Sequence, residues 1–407
     1  MNAISEKKLA FLLPLLVLVP GFYIGVRTIF LFELVIMLVF LISLGGNNLK
    51  VNKKFFSVSF IIVSVSLLIS ALQVLVYGQL LSLSILRIAV LLLLVIYLSK
   101  GYSLSPLSIQ HGVVVAIFLA TALAYAQILD NSLLGGTLSV SEIVGKLYPY
   151  RGELSERGLN ITGGLQLKTN SVFSPTSIVD GHTILAGNFF AVGAIVMLFW
   201  KKPFLFSAAA LIAILTFSRG SWLMLGIGLI FWLSTVKWTV RPIVLVKYSI
   251  GLIISFLFIR YSIFWDYLSF RIMNTLYVFA LVQEASGNPV DPRTTHVWPE
   301  FFSKMNEIGI HAWVIGGNVG VPTDSGILLF FRESGFLGLL TAILVFFYGY
   351  LISGKDRLVL CLILMISIGS VFNPVVQGHR LVFLFGVVVL VQSIFYLSNK
   401  GRVFWKS

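Results

Sequence analysis

The chain has 407 residues, of which 58% are hydrophobic and 11% charged, and its mean hydropathy is +0.99. A soluble domain carries about 25% charge and about 45–50% apolar residues, so 29 Lys and Arg with 15 Asp and Glu cannot clothe a water-soluble globule of this size. The single cysteine, Cys361, excludes an internal disulfide and any Cys-rich zinc or iron–sulfur site.

At about 20 residues per bilayer crossing, the length suits an all-α polytopic membrane protein of about twelve helices. In chain order, apolar runs predict spans near residues 9–26, 29–45, 55–77, 80–99, 109–129, 181–200, 203–217, 221–236, 243–261, 326–350, 358–373 and 381–398. Lys7 and Lys8 precede the first run, but no small-residue cleavage site follows it, so a span is expected there rather than a removable leader. The formal charge of +14 is best understood by position. With the N-terminus inside, more than half of the basic residues fall in short connections on one face, from Lys7 and Lys8 through Lys53, Lys54, Lys201, Lys202, Lys237, Arg241, Lys355 and Arg357 to Lys400, Arg402 and Lys406. The positive-inside rule then places both termini in the cytoplasm. Basic residues spread along a membrane face, rather than gathered in one patch, give nucleic-acid binding no support.

Two connections are long and polar: 130–180 and 262–325. They hold eleven of the 15 acids, counting Asp324 at the rim, and are expected outside. Loops of this length in a compact protein are commonly functional or disordered. Residues 263–282, rich in Phe, Trp, Tyr and Leu, suit an interfacial segment, and Val297, Phe301, Met305 and Ile308 recur at helical spacing. No internal repeat emerges, so residues 1–407 are expected to form a single membrane domain with two long outer loops.

Charges inside a bilayer are costly and usually functional. Arg219 sits in Thr216-Phe217-Ser218-Arg219-Gly220-Ser221-Trp222, between apolar segments of about 15 residues that reach about 22–24 Å, short of the roughly 30 Å hydrocarbon core. The hairpin is therefore expected to turn below the outer surface, with Arg219 either recessed in an anion-binding cavity or snorkelling to headgroups or a carboxylate. Arg151, Arg157, Arg293, Arg332 and Arg380 lie in or beside the outer loops. Guanidinium forks match phosphate oxygens bidentately, so several opening on one cavity would suit a diphosphate; each alone would equally suit a solvated or paired surface charge. Arg87 has Glu33 as a candidate partner across helices. The five histidines show no metal-ligand spacing, and the outer loops lack an Asp-x-Asp pair, so no metal site is expected. His182, in Asp180-Gly181-His182, and His379, beside Arg380, are each a candidate base or a hydrogen-bonded rim residue.

Taken together, this topology, the Ser218-Arg219-Gly220 turn, Asp291-Pro292-Arg293 leading to Gly316-Gly317-Asn318, and Asp324-Ser325-Gly326 running through Arg332-Glu333-Ser334-Gly335 to Gly338 resemble the bacterial O-antigen polymerase and O-antigen ligase superfamily. The resemblance implies a helical membrane glycosyltransferase fold of the GT-C-like type with two long periplasmic loops, in the bacterial inner membrane. It implies an undecaprenyl diphosphate-linked oligosaccharide as substrate, no cofactor or metal, and a chain-length regulator protein as a candidate partner beside the membrane lipid. Ligases of this kind carry a histidine just before the span after the large outer loop. Here that position is Asp324, which resembles the polymerases. Catalytic roles are then expected for Arg219, Arg293, Asp324 and His182, and substrate contacts for Arg151, Arg157, Arg332, Arg380 and His296. Asp324 has a second reading, as the N-cap of the following helix. The alternatives are a ligase or protein O-oligosaccharyltransferase of the same superfamily and, from a different class, a lipid-linked glycan flippase or transporter.

Overall fold

In a computed structural model of the chain, the described residues are 3–24, 27–30, 34–35, 53–77, 104–134, 136–148, 161–162, 165–169, 172–175, 183–235, 297–317, 319, 325–372 and 379–404, with isolated positions between 250 and 269. Helices dominate. They are α1 (Ala3–Leu15), α2 (Lys53–Tyr77), α3 (Pro106–Leu133), α4 (Val140–Leu147), α5 (Thr183–Phe199), α6 (Pro203–Leu215), α7 (Arg219–Thr235), α8 (Trp298–Ile308), α9 (Ile310–Ile315), α10 (Gly326–Ile352), α11 (Arg357–Phe372) and α12 (His379–Phe404). Pro106–Asn131, Gly326–Ile352 and His379–Ser398 are each long and apolar enough to cross a bilayer, whereas Ser64–Tyr77, Ile184–Phe199, Pro203–Leu215 and Arg357–Val371 are apolar but shorter. The protein is a helical membrane protein.

The first expected span, 9–26, departs from this pattern. α1 ends at Leu15, a single 3-10 turn covers Leu16–Leu18, and the chain then enters an antiparallel hairpin of β1 (Gly21–Ile24) and β2 (Arg27–Phe30), where the span 29–45 was expected to begin. Pro20-Gly21 supplies the reason. Proline disfavours helical backbone at the residue before it and lacks the N–H that a helix needs. The first long loop is also structured. It carries α4 and a three-stranded antiparallel sheet of β3 (Ile161–Thr162), β4 (Leu165–Thr169) and β5 (Val172–Pro175). The expected spans 80–99 and most of 243–261 lie outside the described residues.

α5 is the centre of the bundle. Phe189, Phe190, Val192, Ile195 and Met197 are all buried, as an evenly apolar helix requires. α6 and α7 pack against it, α6 presenting buried Ala209, Ala210 and Ala213. Lipid is as apolar as these side chains, so close backbone approach through small residues, rather than exclusion from water, holds such helices together.

Contacts among the helix termini define two ends. At one, Arg357 Nη1 at the start of α11 donates to the carbonyl of Thr235, the last residue of α7, over 3.3 Å. The turn after α5 and the turn after α10 share this end and are closed alike. Lys202 N–H reaches Met197 O (2.8 Å) and Lys201 N–H reaches Leu198 O (3.1 Å); Lys355 N–H reaches Tyr350 O (3.1 Å) and Gly354 N–H reaches Leu351 O (3.2 Å). This bond pair finishes a helix on a left-handed residue, here Lys201 (φ 59°) and Gly354 (φ 73°). At the other end, Arg380 near the start of α12 donates to the carbonyl of Val17 just after α1. Lys7 and Lys8 therefore share the end of Lys201, Lys202, Lys355 and Arg357.

This clustering leads to a topology prediction. After replacement of Cys361, Lys201→Cys should resist an impermeant thiol reagent in intact cells, while Glu300→Cys on the exposed face of α8 should label. The opposite labelling pattern would invert the orientation that charge implies.

Candidate functional site

The end remote from the lysine turns contains the α6–α7 corner. Thirteen residues of α6 rise about 20 Å, so a hairpin started at Lys202 turns well inside a hydrocarbon core of roughly 30 Å. The corner is tightly specified. Thr216 donates its hydroxyl to Ala213 O (2.7 Å), and Phe217 takes left-handed backbone (φ 54°) with its N–H on Ile214 O (3.0 Å). Trp222 Nε1 returns to the same Ile214 carbonyl (3.0 Å). Ser218 Oγ accepts from Ser221 N (3.4 Å), starting α7 as a cap does.

The corner also docks on α5. Ser221 Oγ donates to Asn188 Oδ1 (2.9 Å), both residues being fully buried. A Cβ on Gly187 would lie 2.3 Å from Thr216 Oγ1 and 2.4 Å from Ser221 Oγ, so only glycine admits this approach. Gly187 and Asn188 are about one helical turn into α5, which sets the corner below the start of that helix.

Arg219 is the first residue of α7, partly buried, with its Nε buried. A cation is the wrong charge for that position. The first turn of a helix is electropositive and favours an acid, and the first turn of α7 contains none. Guanidinium and helix N-terminus together concentrate positive potential where an anion would be held.

A second feature of this end is a break in α10. Gly335 has φ 61° and ψ −160°, which divides the helix into a short first part and a long second part. The segment after α9 crosses the break: Gly317 N–H donates to Arg332 O (3.0 Å). Gln73 of α2, fully buried, gives its side-chain amide to both Ile315 O and Glu333 O, each at 2.6 Å. These bonds satisfy the Arg332 and Glu333 carbonyls that the break releases and the terminal Ile315 carbonyl of α9. Arg332 and Glu333 are partly buried here. Ser334 Oγ and Tyr77 Oη are buried with no hydrogen-bond partner among the described residues, and the Tyr77 ring lies 5.8 Å from that of His311.

Arg380, expected at a rim, is 1% exposed. Besides its bond to Val17 O, its guanidinium stacks 5.1 Å from the Tyr148 ring, and the Tyr148 hydroxyl donates to Leu18 O. It ties α12, the end of α4 and the turn after α1 together. Asp130, an outer-loop acid, is likewise structural: buried at the end of α3, its carboxylate accepts from Leu138 N (2.9 Å) and Val140 N (2.8 Å).

Of the expected site residues, Arg219, Arg332 and Arg380 thus lie at one end of the bundle, on α7, α10 and α12. α11 packs against both α7 and α10. Arg151, Arg157, His182, Arg293, His296 and Asp324 lie outside the described residues, as do Glu33 and Arg87. Ser325, next to Asp324, accepts from Leu328 N (3.4 Å) and so occupies the N-cap of α10. Gln73 and Asn188 were missed by sequence reasoning, although a carboxamide within an apolar run is itself a signal of interhelical bonding. Compared with known proteins, the chain matches no family model and no curated protein.

Proposed function

We propose that the chain is a metal-independent glycosyltransferase of about twelve spans. It joins undecaprenyl diphosphate-linked oligosaccharide repeat units at the outer face of a bacterial inner membrane and releases undecaprenyl diphosphate. The observation that carries this proposal is Arg219 at the N-terminus of α7, in a corner set inside the hydrocarbon depth. A sugar hydroxyl of one repeat unit attacks the anomeric carbon of the other glycan. A C–O bond forms, the bond to the lipid diphosphate breaks, and the leaving diphosphate takes up the negative charge. Arg219 meets that charge from a preorganised position in a water-poor site, where such stabilisation exceeds what water supplies, and Arg293 and Arg151 are the further cations assigned to the diphosphate. Purified full-length protein given a lipid-linked repeat unit should yield a ladder of products; unchanged substrate would refute the proposal.

The hydroxyl proton goes to Asp324 or His182. With Ser325 already at the N-cap of α10, Asp324 has less reason to serve as that cap. Asp324→Asn should therefore leave a stable protein that binds donor lipid but polymerises about a hundredfold more slowly. Normal polymerisation by Asp324→Asn, with loss in His182→Ala, would transfer the role to His182.

The break in α10 favours a second reading, since discontinuous helices mark many transporters. Cell phenotype separates the two. Loss of a polymerase leaves single repeat units displayed on the surface glycolipid, whereas loss of a flippase leaves none.

A further inference from the structure

The lysine-rich end, opposite Arg219, contains a separate polar cavity. It is a groove of about 600 Å³ between the ends of α5 and α7, the α10–α11 turn and α12, within the size range of ligand clefts (about 300–1,000 Å³). Trp200, Trp232 and Gln392 line it together with the exposed cations Lys355 and Arg357. Its one acid is already engaged: Asp356 caps α11, Oδ1 accepting from Leu358 N (2.9 Å) and Val359 N (3.2 Å). Among the described residues, neither Lys355 nor Arg357 is in an ion pair.

Cations at helix C-termini have an ordinary explanation, because they offset the negative end of the macrodipole. That accounts for one donor of Arg357, the Nη1 on Thr235 O. Lys355, three residues past the end of α10, offsets that helix in the same way, but its ammonium is exposed and makes no hydrogen bond among the described residues, which leaves it open to an anion. Lys355 is also held in left-handed backbone (φ 61°), a conformation that a lysine adopts at a cost and that gathers at functional positions. Tryptophan favours headgroup depth in a membrane, so Trp200 and Trp232 set the groove at the level of lipid phosphates.

We propose that this groove binds the phosphate of an anionic phospholipid headgroup from the adjoining leaflet, with Lys355 and Arg357 as the phosphate-binding pair. Gln392 supplies an amide to the headgroup, and the two indoles pack on its glycerol. Basic pockets between membrane helices take lipid headgroups in this way. The site is independent of the glycan chemistry at the other end.

The test uses full-length protein, delipidated in neutral detergent and titrated with phosphatidylglycerol or phosphatidylcholine in mixed micelles, with bound lipid counted by native mass spectrometry. Wild type should hold phosphatidylglycerol about tenfold or more tighter than phosphatidylcholine. Lys355→Gln/Arg357→Gln should lose that preference, while Lys7→Gln/Lys8→Gln, with the same change in charge at the same end, should keep it. Equal loss in both double variants would reduce the effect to net charge and overturn the groove, as would an undiminished preference in Lys355→Gln/Arg357→Gln. Displacement of the lipid by millimolar inorganic phosphate would assign the site to a soluble anion and overturn the lipid. Gln392→Leu, which leaves the charges in place, should weaken phosphatidylglycerol binding even if the double variant fails to fold, and unchanged binding there would also count against the proposal.

Discussion

Arg219→Ala is expected to abolish the product ladder while leaving the fold intact. The two halves of this expectation have separate causes. A cation on the first residue of α7 opposes the positive end of that helix, and removing it relieves a repulsion of about 0.3–1 kcal/mol. The corner itself is held by Thr216, Phe217, Ser218, Trp222 and the Ser221–Asn188 bond, none of which needs the guanidinium. Activity should respond oppositely. Removing one preorganised donor from a site of developing negative charge costs about 10²–10³ in turnover. Arg219→Lys should rescue poorly, because an ammonium point charge cannot replace a planar fork on phosphate oxygens. Arg293→Ala should be similarly damaging, and Arg402→Ala near the end of α12 should be silent. The measurements are ladder formation and thermal unfolding on the same preparations. A wild-type ladder from well-folded Arg219→Ala would end the diphosphate proposal, and a collapsed fold would show the arginine to be structural.

How far the sequence discloses this arrangement depends on the kind of signal each part leaves. The α6–α7 corner was legible because a polar cluster interrupts two apolar runs too short to span, and the helices end at Leu215 and restart at Arg219. The helix at Trp298–Ile308 was legible from spacing, with Phe301 and Met305 buried as their positions suggested. The hairpin of β1 and β2 was hidden because Phe22–Ile24 continues an apolar run that suits either structure; Pro20-Gly21 was the discriminating signal. The break in α10 was hidden more deeply. Gly335 follows the polar run Arg332-Glu333-Ser334 inside a longer apolar segment, where a glycine reads as part of a motif, and only the crossing chain at Gly316 shows that the helix breaks there. Arg380 illustrates a limit of position along the chain. Its place at the start of α12 suggested a rim, but its partner Val17 is 363 residues away and its burial follows from that contact.

The crossing at Gly335 should be the point in the fold least tolerant of a single methyl group. Its backbone (φ 61°, ψ −160°) lies in a region that is essentially restricted to glycine, and a side chain there costs about 1–3 kcal/mol from conformation alone. Contact adds to this. A Cβ at Gly335 would come within 2.5 Å of the Val314 carbonyl carbon and 2.6 Å of Gly316 N, both backbone atoms with no freedom to turn aside. The partner is equally constrained, since Gly316 has φ 89° and its Cβ would meet Ser334 N at 2.5 Å. Forced apart, the two segments would also strain the Gln73 bracket, leaving buried carbonyls of Ile315 and Glu333 unpaired at about 1–3 kcal/mol each. Gly335→Ala and Gly316→Ala should each lower the yield of monodisperse protein and its melting temperature sharply. Their effects should not add, because the first substitution opens the contact that the second would have broken. Gly226→Ala is the matched control: its Cβ would meet nothing within 4 Å, and alanine in a helix interior should be neutral or stabilising by about 0.5–1 kcal/mol. Size-exclusion profiles after graded heating would measure all four proteins. A Gly335→Ala variant that melts with wild type would show that α10 is not held broken at this crossing, and the placement of Arg332 beside it would fall as well.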